Sequence, residues 1–142
     1  MAISVGSITY DTSLMLRSII GSAITATGSC FTSFPERATV YPLVTVEVTR
    51  GADAGIGGFY EGRYMPLRAE VVTYAKKTKD RDTIADVVYQ QLRKMQLNTG
   101  SGTTGSALFD FKLVDERHEN ETGREGIHKC IQVFEYKFVA VP

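Results

Sequence analysis

At 142 residues, with 43% hydrophobic and 23% charged residues, the chain has the length and composition of one globular domain able to bury a core, not of a disordered polymer. Lys and Arg number 16 and Asp and Glu number 16, so the net charge is zero. That balance argues against a phosphate-driven nucleic-acid binder, which needs a surplus of cations, and it removes the self-repulsion that opposes packing beside identical copies.

The segment Met1-Ala2-Ile3-Ser4-Val5-Gly6-Ser7 has no basic start followed by an apolar run, and no stretch is apolar enough to span a bilayer. The expectation is a chain made in a reducing cytoplasm, with no membrane partner. Cys30 and Cys130 stand far apart in no paired motif, and both read as small buried hydrophobes.

From Thr12 to about Ala26, Leu16, Ile19, Ile20, Ala23 and Ile24 recur at the spacing of one apolar helix face, with Asp11, Thr12 or Ser13 available as a cap and Gly28 as a stop. Residues 29–42 read as an irregular connection pinned by Phe31, Phe34 and Tyr41. Leu43 to Thr49 alternates as a half-buried strand, with Val44, Val46 and Val48 on one side. A glycine-rich tip follows. A second strand, roughly Tyr64 to Ala75, sets Leu67, Ala69, Val71 and Thr73 against Arg68, Glu70, Val72 and Tyr74.

After Lys76-Lys77-Thr78-Lys79-Asp80 comes a second amphipathic helix, marked by Ile84, Val87, Val88, Leu92 and Met95. Asp80 and Asp82 lie at its positive end and Arg93 and Lys94 at its negative end. Residues 98–106 read as a Gly/Ser/Thr linker. Two strands close the pattern, one carrying Phe109, Phe111 and Leu113, the other running from Ile127 to Val141 with Phe134, Tyr136 and Phe138 on one face. The expected architecture is α+β, in the order α-β-β-α-β-β. It is one domain with a single mixed, mainly antiparallel four-stranded sheet, two helices packed on one face, and long hairpin tips near 51–63 and 116–126.

Gly100-Ser101-Gly102-Thr103-Thr104-Gly105 has the spacing of a dinucleotide motif, but a helix precedes it and a strand follows, the reverse of what a pyrophosphate site needs. Gly55, Gly57 and Gly58 lack the Lys-Ser/Thr of a phosphate loop. Asp115, Glu116, His118, Glu119 and Glu121 are metal-type ligands, yet the interleaved Arg117 and Arg124 favour a solvated tip. Asn120-Glu121-Thr122 is a glycosylation sequon by pattern alone. Lys76, Lys77, Lys79 and Arg81 form a small basic corner. No paired acid and base stands out, so the expectation is a protein without catalytic residues, metal or cofactor.

Tyr41-Pro42-Leu43-Val44-Thr45-Val46 opens a strand after an amphipathic helix, and Thr83-Ile84-Ala85-Asp86-Val87-Val88-Tyr89-Gln90-Gln91-Leu92 forms the helix after the second strand. Phe111-Lys112-Leu113-Val114-Asp115-Glu116-Arg117 and Gln132-Val133-Phe134-Glu135-Tyr136-Lys137-Phe138-Val139 follow. In this order, from about Ser13 to Val141, the chain resembles the tail terminator proteins of long-tailed bacteriophages and related viruses, also described as tail completion or tail-to-head joining proteins.

The resemblance implies a virion protein of the tail or neck, assembled in the host cytoplasm. It implies a hexameric ring on the tail tube that stops tube polymerisation and meets the head connector protein. Tube protein, connector protein and further copies of the chain are then the partners, with no sequence-specific nucleic-acid binding. Length and composition nominate Ala54, Gly55, Ile56, Gly57, Gly58, Phe59 and Tyr60 as partner contacts, with Lys76, Lys77 and Lys79 at the basic corner. Arg117, His118, Glu119, Glu121 and Arg124 are nominated at the charged tip. A head-completion or neck connector subunit is the nearest alternative. A small ligand-binding domain or enzyme, with Tyr74, His128 or Tyr136 lining a pocket on the open sheet face, is a more distant one.

Overall fold

The computed structural model describes residues 8–26, 28–35, 40–50, 65–97, 106–120 and 126–140. Helix α1 (Ile8–Ile24) is followed by β1 (Ser29–Phe31), β2 (Leu43–Arg50) and β3 (Met65–Ala75), then α2 (Thr78–Leu97), β4 (Ser106–Asn120) and β5 (His128–Ala140). The strands form one sheet in the order β1-β2-β3-β5-β4. All neighbours are antiparallel except β1 and β2.

The sheet therefore has five strands where the sequence pattern gives four. The added strand is Ser29-Cys30-Phe31, inside the segment read as an irregular connection. A strand of three residues cannot display an alternation, and its parallel pairing with Leu43-Val44-Thr45 is a tertiary choice. The other bounds move by smaller steps. Helix α1 begins at Ile8 and not at Thr12, and Ser106, placed in the linker, opens β4.

Both helices cover one face. Leu16, Ile20 and Ile24 of α1 and Ile84, Val88 and Leu92 of α2 pack in one cluster with Val44, Val46, Leu67, Ala69 and Val71 of the sheet. Register explains which residues point inward: Val46 opposes Val71 and Ala69 opposes Phe134, so the apolar set of each strand falls on one side. Ala23, counted on the apolar face from its spacing, is exposed at the margin of the helix stripe. Gly28 closes α1 as expected, its N–H donating to Ile24 O at 2.8 Å.

The opposite face carries a smaller cluster, Val72, Ile131 and Val133, with Tyr74 packed against it. Phe34 meets Tyr74 edge-on at 5.0 Å, which brings the segment after β1 over the end of this face. Around the cluster the face is charged. Arg68 and Glu135, directly opposed in register, pair at 2.7 Å.

Strand β4 is an edge strand with two irregularities, between Phe109 and Lys112 and between Leu113 and Asp115. At the first, Asp110 takes a left-handed backbone with φ of 58°, and Lys137 Nζ holds its carboxylate at 2.8 Å. The extra residue turns Phe111 inward, where its ring stacks on Tyr136 at 4.5 Å and 6°. At the second, Val114 is the additional residue and is exposed.

Candidate interaction surface

The residues nominated as partner contacts fall into three places. The stretch 54–60, with Glu121 and Arg124, lies outside the described residues. Lys76, Lys77 and Lys79 are exposed at the β3–α2 corner, and Lys76 Nζ lies 5.8 Å from the centre of the Tyr41 ring. Arg117, His118 and Glu119 are exposed, but on β4 and not on a tip. The charged segment read as a loop from residue 116 is strand through Asn120, because pairing with Ile131, Cys130 and Lys129 overrides its polar composition.

The fold brings two of these groups to the same end of the sheet, where β3 and β4 finish and α2 and β5 begin. Asp82 is the link. Its Oδ1 accepts from Arg81 Nε at 2.9 Å and lies 4.0 Å from His118 Nε2, so the start of α2 is held against β4. The bond from Arg81 is the main cause that sets the Asp82 carboxyl below its ordinary pKa, with the charges of Arg81 and His118 adding to it. Just inside, buried Gln132 donates through Nε2 to Ala85 O at 3.1 Å and to Glu116 Oε1 at 2.8 Å, a second tie between α2 and β4. Among the described residues no group of three or more His, Cys, Asp or Glu side chains converges as a metal-ligand set. No described helix is long and apolar enough to cross a membrane.

Tyr74, His128 and Tyr136 do not line a common pocket. Tyr136 lies under the helices, its hydroxyl bonded to Thr12 Oγ1 at 3.3 Å, and burial pushes its pKa far up. Tyr74 points to the other face, near the far end of the strand pair. Burial likewise pushes the Cys30 thiol up to about 12 and the Cys130 thiol up to about 11. Both are therefore protonated, unreactive packing groups at neutral pH.

A concavity that the sequence did not announce opens between α2 and β4, with a volume of about 430 Å³. Leu92, Phe111, Leu113 and Phe134 supply its apolar lining, and Tyr89 stands beside them. Arg93 and Lys112, both exposed, complete the lining. Periodicity marks the four apolar residues as core, and they are indeed inward-facing. The hollow lies beside the irregularity of β4 at Asp110, an event of backbone geometry that alternation cannot report.

No protein-family model matches the chain, and no curated protein matches it. Among solved structures, a chain of the "Virion of native gene transfer agent (GTA) particle" is similar over 96% of this chain and 92% of that one, with a TM-score of 0.54 and 11% identity. The likeness is one of fold. It extends over nearly the whole of both chains.

Proposed function

We propose that this chain is a structural virion subunit that forms a ring, hexameric in number, on the end of a tail tube, where it stops polymerisation and joins the tail to the head. The observation that carries the reading is the end-to-end similarity of fold to a chain of a gene transfer agent virion. Its sequence order supports the more specific role, through the resemblance to tail terminators. The chemistry is in keeping with a subunit that binds and does not catalyse. The groups driven upward in pKa, Cys30, Cys130 and Tyr136, are locked in packing, and the lowered carboxyls, Asp82 and Asp110, belong to exposed ion pairs.

In this reading the end of the sheet that presents Lys76, Lys77, Lys79, Arg117, His118 and Glu119 meets one partner protein. The glycine-rich segment between Arg50 and Met65 meets another. The test is the mass of the purified protein by light scattering, with and without tail-tube protein, backed by negative-stain images. Closed rings, alone or capping tubes of limited length, are expected. A monomer that ignores tubes and leaves their length uncontrolled sinks the proposal.

A further inference from the structure

The sheet ends in β1 on one side and β4 on the other, and among the described residues no strand lies beyond either. An edge strand carries N–H and C=O groups that only water or a further strand can take up. On β4 the six residues from Val114 to Glu119 are all exposed, so that margin is open to solvent. On β1, Cys30 packs against the core while Ser29 and Phe31 are exposed. Four large apolar side chains are exposed among the described residues, and two of them, Phe31 at 36% and Val114 at 44%, stand on these two edges.

We infer that β1 of one copy pairs with β4 of the next, so that the sheets of all subunits join into one closed wall. The inference rests on the ring reading above and names its subunit contact. Strand β1 runs parallel to β2 and each later neighbour reverses, so β4 points opposite to β1. A neighbour turned about an axis along the strands keeps its strand direction and the side on which its helices lie. Its β1 therefore meets β4 antiparallel, the more stable pairing. The two edges are different patches, the requirement for a contact that repeats around a ring instead of closing as a two-fold dimer does. Beyond its second irregularity β4 is regular from Asp115 onward, a longer run than the three residues that β1 brings. Ser29-Cys30-Phe31 is uncharged, so it sets no like charge against Asp115, Arg117 or Glu119. Phe31 and Val114 both come to the seam. The strand ends, with Lys76, Lys77 and Lys79, then face along the ring axis, free to meet other proteins.

Hydrogen exchange read by mass spectrometry tests this on the wild-type full chain, as dilute subunits and as rings formed at high concentration or on tail-tube protein. Amides in 29–31 and in 114–119 are expected to lose exchange together when rings form. The variant Phe31→Asp changes an exposed position and is expected to keep the wild-type circular dichroism. In sedimentation velocity it is expected to weaken self-association by roughly 30-fold or more, the effect of losing an interface anchor. Rings in which either segment exchanges as it does in the subunit overturn this contact and leave the ring reading standing, as do wild-type-like rings from the variant. A dimer that protects 114–119 alone means that β4 pairs with β4, and it overturns both. Wild-type protein that forms no ring in either condition does the same.

Discussion

Thr73 and Gln132 are fully buried on the helix-covered face, yet Thr73 Oγ1 and Gln132 Oε1 have no hydrogen-bond partner among the described residues. A buried hydroxyl without a partner opposes folding, so Thr73→Val is expected to stabilise the protein by about 1 kcal/mol, read as a higher urea midpoint at unchanged slope. Asp110 is a second residue whose setting makes a prediction. Its left-handed backbone disfavours a β-carbon, while its carboxylate accepts from Lys137. Asp110→Gly keeps the backbone and loses only an exposed ion pair, whereas Asp110→Ala loses the pair and keeps the strain. Alanine is therefore expected to cost about 1 kcal/mol more than glycine in the same denaturation series.

The cysteines set an alkaline limit. A thiol whose folded pKa is raised contributes stability that is complete below its unfolded value, near 9, and is lost as pH rises through its folded value, about 11 for Cys130 and about 12 for Cys30. Stability is expected to fall between pH 9 and 12. Replacing both thiols by alanine is expected to flatten that fall while lowering stability at neutral pH through lost packing.

At the scale of elements, Gly28 shows how tightly α1 and β2 are joined. A β-carbon there would lie 2.7 Å from Pro42 O, a backbone atom that cannot step aside. Gly28→Ala is expected to destabilise by about 2 kcal/mol or more and to lower Tm, although alanine is ordinarily the better residue near a helix. The Phe111–Tyr136 stack is the corresponding joint between β4 and β5, and Phe111→Ala is expected to cost about 3–5 kcal/mol in chemical denaturation.

These joints also mark where sequence reasoning succeeded and stopped. Helices α1 and α2, the β2–β3 alternation, the inward set of β5 and the stop at Gly28 were legible, because each is written in a period or a local signal. Strand β1 was not, since its three residues gain their conformation from parallel pairing with β2. Nor was the extent of β4, where charged residues from Glu116 to Glu119 read as a loop. Of the nominated contacts, exposure and charge identified Lys76, Lys77, Lys79, Arg117, His118 and Glu119 as surface groups. Only the fold put them at one end of the sheet. The groove lay hidden in residues that periodicity marks as core.

For the whole molecule, the main cluster draws side chains from both helices and from β2, β3, β4 and β5. With one shared core, no element can melt while its neighbours keep their packing. The expected unfolding is two-state, with tyrosine near-ultraviolet and backbone far-ultraviolet signals following one transition. A separate early transition in the far-ultraviolet signal would mean that α1 or α2 is held more loosely than its buried stripe indicates.

Strand β5 is the last strand of the sheet in sequence, and it lies between β3 and β4 in space. As a chain leaves the ribosome, α1, β2, β3 and α2 can gather early. The inner margin of β3 then stays bare, and β4 has nothing to pair with, until β5 arrives with Phe134 and Tyr136. The hydroxyl of Thr12 finds that of Tyr136 across 124 positions of sequence. Non-local closure of this kind is slow compared with helix formation. Synthesis thus fixes an order of events: the wall that β4 and Phe134 of β5 give the hollow beside α2 exists only when the closing strand is in place.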